Sequence, residues 1–223
     1  MEPFSPFRSL ARRASVPRGF TLVEMLVVLA IIIMITAIVI NGQSTYNRSI
    51  LLTDTAYTVA YSIRQAQSLG LASRGTSAGG SVISNAGYGV RFAGTTGYTI
   101  FADIGGVDVL STAVCPIGVT GTPEAKPGNC KYDSGTDRIV QSYTFSRGYT
   151  IGNICGKSGS TLTCSLSSLD VVFMRPETRA ILIGPSNQSF TCAEVHVRPP
   201  TGSEIRVVRV SQLGEISVGQ TCP

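Results

Sequence analysis

The sequence contains one histidine, His196, and no two of its cysteines lie at C-x-x-C spacing. Zinc sites are built from clusters of such residues, so no four-ligand metal centre is visible. Calcium loops of the D-x-[DN]-x-[DN]-G type are missing too, since Asp103 is followed by Ile104-Gly105-Gly106. We therefore expect no metal and no cofactor.

No residue pattern marks a catalytic centre. Catalysis would need a nucleophile with a base, a carboxylate pair or a metal site. His196 lies in an alternating strand pattern with no motif around it, and we interpret it as a strand-face residue. The loop aspartates could be read as calcium ligands, but solvated turn positions are the preferred interpretation for Asp103, Asp108, Asp133 and Asp137. We do not expect an enzyme.

Positive charge is concentrated at the amino terminus. The formal net charge of +5 would suggest a nucleic-acid partner, but four arginines precede the apolar run, against one acid, Glu2. They are Arg8, Arg12, Arg13 and Arg18. Without residues 1–19 the chain has 14 basic and 12 acidic residues, a net charge of +2. The basic character belongs mainly to these first 19 residues.

Residues 20–40 form an apolar run, FTLVEMLVVLAIIIMITAIVI. As a helix rising about 1.5 Å per residue, it is long enough to cross the roughly 30 Å hydrocarbon core of a bilayer. The arginines before it predict a cytoplasmic amino terminus, with everything after Asn41 outside. A secretory signal peptide would place its small-residue cleavage site after the run, whereas Gly19 lies before it. Glu24, a charge within the run, needs a cationic partner.

The stretch RGFTLVE, residues 18–24, resembles the prepilin processing motif. The resemblance implies that a membrane-embedded aspartyl peptidase cuts after Gly19 and that the new amino terminus, Phe20, is N-methylated. It also implies that Glu24 pairs with the terminal amine of a neighbouring subunit during assembly. Such pairing would relieve the cost of a buried anion and of the cation created by cleavage.

The same resemblance implies partners and a location. The partners are a prepilin peptidase and other pilin or pseudopilin subunits, in a homo- or hetero-oligomeric filament. Before assembly the chain would be a single-pass protein of the bacterial cytoplasmic membrane with its head outside, and afterwards part of an extracytoplasmic filament. A type IV pilus and a type II secretion pseudopilus both remain open.

Four segments are predicted along the chain: a leader over 1–19, a transmembrane or filament-core helix over 20–41, its amphipathic continuation over 42–72, and a β-rich, disulfide-bonded head over 73–223. Apolar residues spaced by three or four positions mark one face of the continuation: Leu52, Ala56, Val59, Ile63 and Ala66. The helix is predicted to end near Leu71.

After Arg74, short alternating runs between turn residues predict antiparallel strands at 88–92, 98–103, 139–145, 169–174, 180–183, 192–197, 204–210 and 215–218. Gly214 is placed in the turn of a terminal hairpin, and 105–137 is predicted to be a long, exposed loop. The expected fold is α+β and pilin-like, a long amino-terminal helix packed on an antiparallel sheet. The stretches GYGVRF, YTIFAD, VVFMRPETRAILI and EIRVVRVSQLGEISV resemble the heads of GspH/FimT-type minor pseudopilins and pilins.

Six cysteines lie beyond the apolar run, and their even number suggests disulfides in an oxidising compartment. Fifteen pairings are open. We favour sequential pairing, because each successive pair closes a short loop rich in Gly, Ser or Pro: Cys115 with Cys130, Cys155 with Cys164, and Cys192 with Cys222.

A DNA-binding minor pilin is the alternative function, because some FimT-type pilins capture DNA through a basic patch. Such a patch needs clustered Lys and Arg. Arg198, Arg206 and Arg209 could supply part of one, but acidic residues interleave with them: Glu194, Glu204 and Glu215. A solvated strand face of mixed charge is the preferred interpretation, and nucleic acid is not expected as a partner.

Overall fold

The computed structural model describes residues 19–72, 76–78, 81–83, 86–105, 115 and 128–223, with the backbone alone at 41–45, 76–78 and 81–83. Residues 1–18 of the predicted leader, Asp108 and most of the predicted 105–137 loop lie outside the described residues. The chain divides into two units, Met1–Thr45 and Tyr46–Pro223. One helix, α1, runs over Leu22–Leu71, close to the predicted bounds.

The described residues form thirteen strands, which are short and separated by turns. They are β1 Thr76–Ala78, β2 Ser81–Ile83, β3 Gly87–Ala93, β4 Gly97–Asp103, β5 Arg138–Thr144, β6 Thr150–Ser158, β7 Thr161–Cys164, β8 Ser168–Phe173, β9 Ala180–Ile183, β10 Ser189–Phe190, β11 Cys192–Arg198, β12 Arg206–Ser211 and β13 Ile216–Val218. A single 3₁₀ turn, Pro185–Asn187, separates β9 from β10.

The strands form antiparallel sheets. One has six strands in the order β10-β9-β8-β3-β4-β5, a second has five in the order β13-β12-β11-β6-β7, and β1 pairs with β2 alone. The fold is α+β with a pilin-like layout, as expected. All eight predicted strands are present, with bounds within two residues of the prediction.

The unit Tyr46–Pro223 has one main core, which the helix shares with both large sheets. The predicted apolar face of α1 is fully buried there: Leu52, Ala56, Val59, Ile63 and Ala66. The same cluster contains Val90 and Phe92 from the six-stranded sheet and Val195 and Val208 from the five-stranded one. Alternate side chains of β3, those of Val90 and Phe92, point into this core, as the pleat of a strand requires.

A polar pair is also buried in this region. The hydroxyl groups of Ser62 and Tyr98 lie 2.9 Å apart and share a hydrogen bond. Burial raises the pKa of Tyr98 to about 12, so the phenol stays protonated. The bond satisfies two groups that would otherwise be costly to bury.

The prediction of an exposed loop over 105–137 is wrong at two positions, which belong to a second apolar cluster. Cys115 and Cys130, which lie within 105–137, are fully buried with Phe101, Val172 and Met174. These two described positions of the segment therefore belong to a small core rather than to an exposed surface.

Two strands of the five-stranded sheet were missed. The sequence TIGNICGKSGSTLTC reads as a Gly- and Ser-rich loop, but it forms the β6–β7 hairpin, with Gly159 at positive φ in its turn. Pairing with β11 supplies the strand context that local composition lacks. The predicted hairpin turn at Gly214 is confirmed: φ is +85° and its N–H donates to the Ser211 carbonyl at 2.9 Å.

Candidate functional site

The predicted processing junction lies immediately before the helix. Phe20 is 73% exposed, and a Cβ built on Gly19 would have no heavy atom within 4 Å. Thr21 caps the helix, because its hydroxyl oxygen accepts the Glu24 N–H at 3.2 Å. Glu24 sits in the first turn, where the helix dipole favours an acidic residue. A threonine followed three residues later by a glutamate is also the pattern of a capping box.

The first stretch of the helix, Leu22–Ile40, is long and apolar enough to cross a membrane, by length and composition. Its side chains are exposed all round, including Leu22, Ile33 and Ile38. A continuous apolar surface of this size marks contact with lipid or with other protein. Membrane anchoring is consistent with these properties.

All six cysteines are paired, in the sequential order Cys115–Cys130, Cys155–Cys164 and Cys192–Cys222. Cys155 and Cys164 face each other directly across β6 and β7, so this bond staples a hairpin rather than a loop. Cys192–Cys222 ties the carboxyl-terminal tail to β11. The three bonds restrain three different parts of the head.

Two of the three arginines proposed for a DNA patch, Arg206 and Arg209, do not converge. Arg206 and Arg209 are three residues apart on β12, which puts their side chains on opposite faces of the sheet. Arg206 donates to the Thr53 hydroxyl of the helix at 3.4 Å, whereas Arg209 pairs with Glu215 at 2.6 Å. Both guanidinium groups have partners within the head itself.

Two aspartates near the end of β4, Asp103 and Asp137, accept hydrogen bonds from backbone N–H groups of neighbouring segments. Asp103 is fully buried, not solvated as predicted, and its two oxygens accept the N–H groups of Asn129 and Cys130 at 3.0 and 2.7 Å. Asp137 accepts the N–H of Ile104 at 3.0 Å and that of Asp133 at 2.7 Å. These contacts close the base of the 105–137 segment.

Burial and mutual repulsion perturb these carboxyl groups. Desolvation raises the pKa of Asp103 well above its usual range, and the neighbouring Asp137 adds to the effect. Desolvation also raises the pKa of Asp137, although backbone N–H donors oppose it. A Cβ at Gly128 would collide with the Asp103 carboxylate, so only glycine fits there. The geometry assigns these groups a structural role.

His196 lies on β11, as predicted, but it is not isolated. Its Nε2 is 2.9 Å from Oε2 of Glu194 and 4.0 Å from Sγ of Cys155. These three potential metal ligands all lie within 4.8 Å of one another. Sequence reasoning missed the group because Cys155 belongs to β6, one of the unpredicted strands. The signal that was available is the Glu194-x-His196 spacing, which puts both side chains on one strand face.

The fold and the amino-terminal site define an α+β protein whose apolar helix follows an exposed glycine–phenylalanine junction. Residues 16–40 match the model of the prokaryotic N-terminal methylation motif, which covers Gly19, Phe20 and Glu24. This match supports a type IV prepilin-like protein, processed by a prepilin peptidase and assembled with other pilins. No curated protein and no solved structure matches the chain.

Proposed function

We propose that the chain is a structural subunit of a type IV pilus-like or type II secretion pseudopilus filament. The observation that carries this proposal is the methylation-motif match over residues 16–40, followed by a helix with an exposed apolar surface over Leu22–Ile40. A helix that is apolar all round is stable only in lipid or among other apolar helices. A filament subunit meets both environments, the membrane before assembly and the filament core after it.

Processing begins with cleavage between Gly19 and Phe20. The open surroundings of Gly19 and the exposure of Phe20 leave the peptide bond accessible to a membrane-embedded peptidase. Cleavage removes the arginine-rich leader and creates an ammonium group on Phe20, which is then N-methylated. The leader arginines also favour a cytoplasmic amino terminus before cleavage.

Glu24 is the assembly residue. It lies in the first helical turn, close in depth to the new amino terminus, and an unpaired carboxylate in hydrocarbon costs several kcal/mol. The amine of a neighbouring Phe20 offers a cation at the same depth. Pairing between subunits stabilises both charges and sets the register of the helices.

The head is an extracytoplasmic display domain of the GspH/FimT type, and not an enzyme. Its three disulfides suit an oxidising compartment. The partners of Arg206 and Arg209 weigh against a DNA-binding role, because those guanidinium groups are already engaged on opposite sheet faces.

Processing is tested with Gly19→Val. Because a Cβ at position 19 meets no neighbouring atom, this change leaves the fold intact and acts on peptidase recognition. Co-expression with an active prepilin peptidase should convert the unsubstituted chain to a species lacking 19 residues and carrying one methyl group, measured by intact mass. Gly19→Val should stay unprocessed, as should the unsubstituted chain beside an inactive peptidase. A mature mass from Gly19→Val at the normal rate argues against the proposal.

Assembly is tested with Glu24→Ala. This chain should insert and be processed normally but enter filaments at least tenfold less than the unsubstituted subunit, measured by quantitative blotting of sheared filaments. Glu177→Gln, which neutralises an exposed head carboxylate, is the matched control and should assemble normally. Equal incorporation of Glu24→Ala would remove the assembly role from Glu24.

A further inference from the structure

The outer face of the five-stranded sheet carries a compact group of ligating side chains. Along β11, Ala193 and Val195 point into the core, so Glu194 and His196 point to the other face. Register places Glu194 directly opposite Cys155 of β6. Residues from two neighbouring strands therefore meet on one sheet surface.

The spacing of these side chains suits a small tetrahedral cation. Nε2 of His196 lies 2.9 Å from Oε2 of Glu194 and 4.0 Å from Sγ of Cys155. Zinc bonds of about 2.0–2.3 Å at tetrahedral angles put ligand atoms roughly 3–4 Å apart. Small side-chain adjustments would bring all three atoms to a common centre.

Cys164 lies outside this group of three, and its sulfur is bonded to that of Cys155. Cys164 faces Cys155 in the β6–β7 register, so breaking the disulfide would free the Cys155 sulfur beside Glu194 and His196 and leave a second sulfur next to it. A rotation of the Cys164 side chain would then bring that sulfur to the fourth ligand position. We propose that reduction of Cys155–Cys164 opens a zinc site made of Cys155, Cys164, Glu194 and His196. The oxidised head lacks this site, because a disulfide sulfur is not a thiolate ligand.

The surroundings of Glu194 support this arrangement. The residue is only 2% exposed, and its Oε1 accepts the Cys222 N–H at 2.6 Å, which leaves Oε2 toward His196. Hydrogen bonds of this kind orient metal-ligating side chains. Across the strand pair, the Arg209 guanidinium is engaged by Glu215 at 2.6 Å.

The reduction needs a two-electron reductant, and with a dithiol it is balanced as follows. One reductant thiolate attacks the sulfur of Cys164, which is an exposed residue, the S–S bond breaks, and Cys155 leaves as a thiolate that takes up a proton. The second reductant thiol then displaces Cys164, so the reductant ends as a disulfide and the chain gains two electrons and two protons. Zn²⁺ binding releases the two thiol protons. The imidazole binds through Nε2 with its proton on Nδ1.

This site is independent of filament assembly and makes the head a redox-dependent zinc binder. The experiment uses the full chain in detergent micelles, reduced by a phosphine and titrated with Co²⁺ as the spectroscopic probe. The reduced chain should bind one Co²⁺ with the d–d bands of a tetrahedral site and thiolate charge-transfer bands, and Zn²⁺ should displace it. The oxidised chain should show neither set of bands.

Variants separate this site from other thiols. The double variant Cys155→Ser/Cys164→Ser, reduced in the same way, should show no thiolate bands. His196→Ala and Glu194→Gln should each weaken Co²⁺ binding at least tenfold, whereas Glu177→Gln, which removes an exposed carboxylate outside the site, should leave affinity unchanged. Amide hydrogen exchange shows whether each variant and the reduced chain keep their fold.

Several results would overturn the proposal. They are thiolate bands that persist in Cys155→Ser/Cys164→Ser, unchanged affinity in His196→Ala, and equal binding before and after reduction. A reduced chain that binds no Co²⁺ overturns it as well, whether hydrogen exchange shows that the fold is kept or lost, because the site requires both the thiols and the sheet.

Discussion

Two stretches of one helix have opposite surroundings. Over Leu22–Ile40 the side chains other than Glu24 and Thr36 are apolar, and the stretch is exposed on every face. The second stretch of α1, residues 46–71, lies by contrast within the unit Tyr46–Pro223. It has one fully buried face, which includes Leu52, Val59 and Ile63. The same secondary structure therefore serves two kinds of contact.

The difference shows that the position of apolar residues matters more than their number. A stripe recurring every three or four residues can be covered by the two sheets of the same chain. Side chains that are apolar all round cannot be covered by one sheet surface and need lipid or other subunits. The second stretch therefore stabilises the fold of the head, and the first stretch stabilises assemblies.

The largest effect is expected from removing buried volume in the second stretch. Ile63→Ala should lower the free energy of unfolding of the head by about 2–5 kcal/mol, through lost burial and the cavity left behind. Urea unfolding of the full chain in detergent, followed by tyrosine near-UV circular dichroism, measures this loss. Ile33→Ala, at a position 68% exposed in the first stretch, is the control and should leave that curve unchanged. Equal losses in both variants would show that the two stretches do not differ in their contribution to the stability of the head.

A glycine that contacts the second stretch should have the next largest effect. Gly214 has φ +85°, its carbonyl accepts the Gln67 side-chain N–H at 3.2 Å, and a Cβ there would collide with the Thr178 carbonyl. Gly214→Ala should cost about 3 kcal/mol from left-handed strain and overpacking together.

Gly219→Ala is the matched control, because Gly219 has φ +86° but open space around it. It should cost only about 1–2 kcal/mol, the left-handed strain alone. Urea midpoints of the two chains at equal slope give the difference. A Gly219→Ala loss as large as that of Gly214→Ala would mean that the contact with Gln67 and Thr178 adds nothing.

Buried carboxyl groups of the head should make its stability depend on pH. Asp170 is 4% exposed, and desolvation raises its pKa from 3.8 to about 6, although Arg91 pairs with it at 2.8 Å and opposes the shift. Between pH 3.8 and about pH 6, the folded state therefore keeps a proton on Asp170 that the unfolded state has released. This contribution to stability is complete below pH 3.8 and is lost as pH rises through about 6.

The head should gain about 2 kcal/mol when pH falls from 7 to 4.5, at 1.36 kcal/mol per pKa unit. Asp103, whose pKa is also raised, acts in the same direction. Urea unfolding at both pH values measures the gain, and Asp170→Asn should lose most of it. A head that is less stable at pH 4.5 than at pH 7 contradicts this assignment.

The smallest effect is expected at the start of the first stretch. Thr21→Ala removes the cap that accepts the Glu24 N–H and should cost the first turn about 1 kcal/mol. Faster hydrogen exchange at the Glu24 amide in micelles measures this. Thr36→Ala, which removes a mid-helix hydroxyl bonded to the Ile32 carbonyl, is the control. Unchanged exchange at Glu24 in Thr21→Ala would show that the cap does not hold the turn.

Much of the fold was predictable because periodicity reports which face is buried. The helix and eight strands follow from spacings of three to four and of two residues. The β6–β7 hairpin was missed, since its glycines and serines have low strand propensity and only pairing with β11 makes them a strand. The methylation motif over residues 16–40 was predictable because it is contiguous in the sequence, and the group around His196 was not.

The sequence by itself determined the features that depend on neighbours along the chain: the apolar run over Leu22–Ile40, the carboxylate of Glu24 in its first turn, and the junction at Gly19. Only the tertiary structure decided which distant residues meet. It buried Asp103 beneath the N–H groups of Asn129 and Cys130 and brought Cys155 beside His196. The physical reason is that helix and strand periods are local, whereas burial and ligand geometry depend on sheet register, which joins residues far apart in sequence.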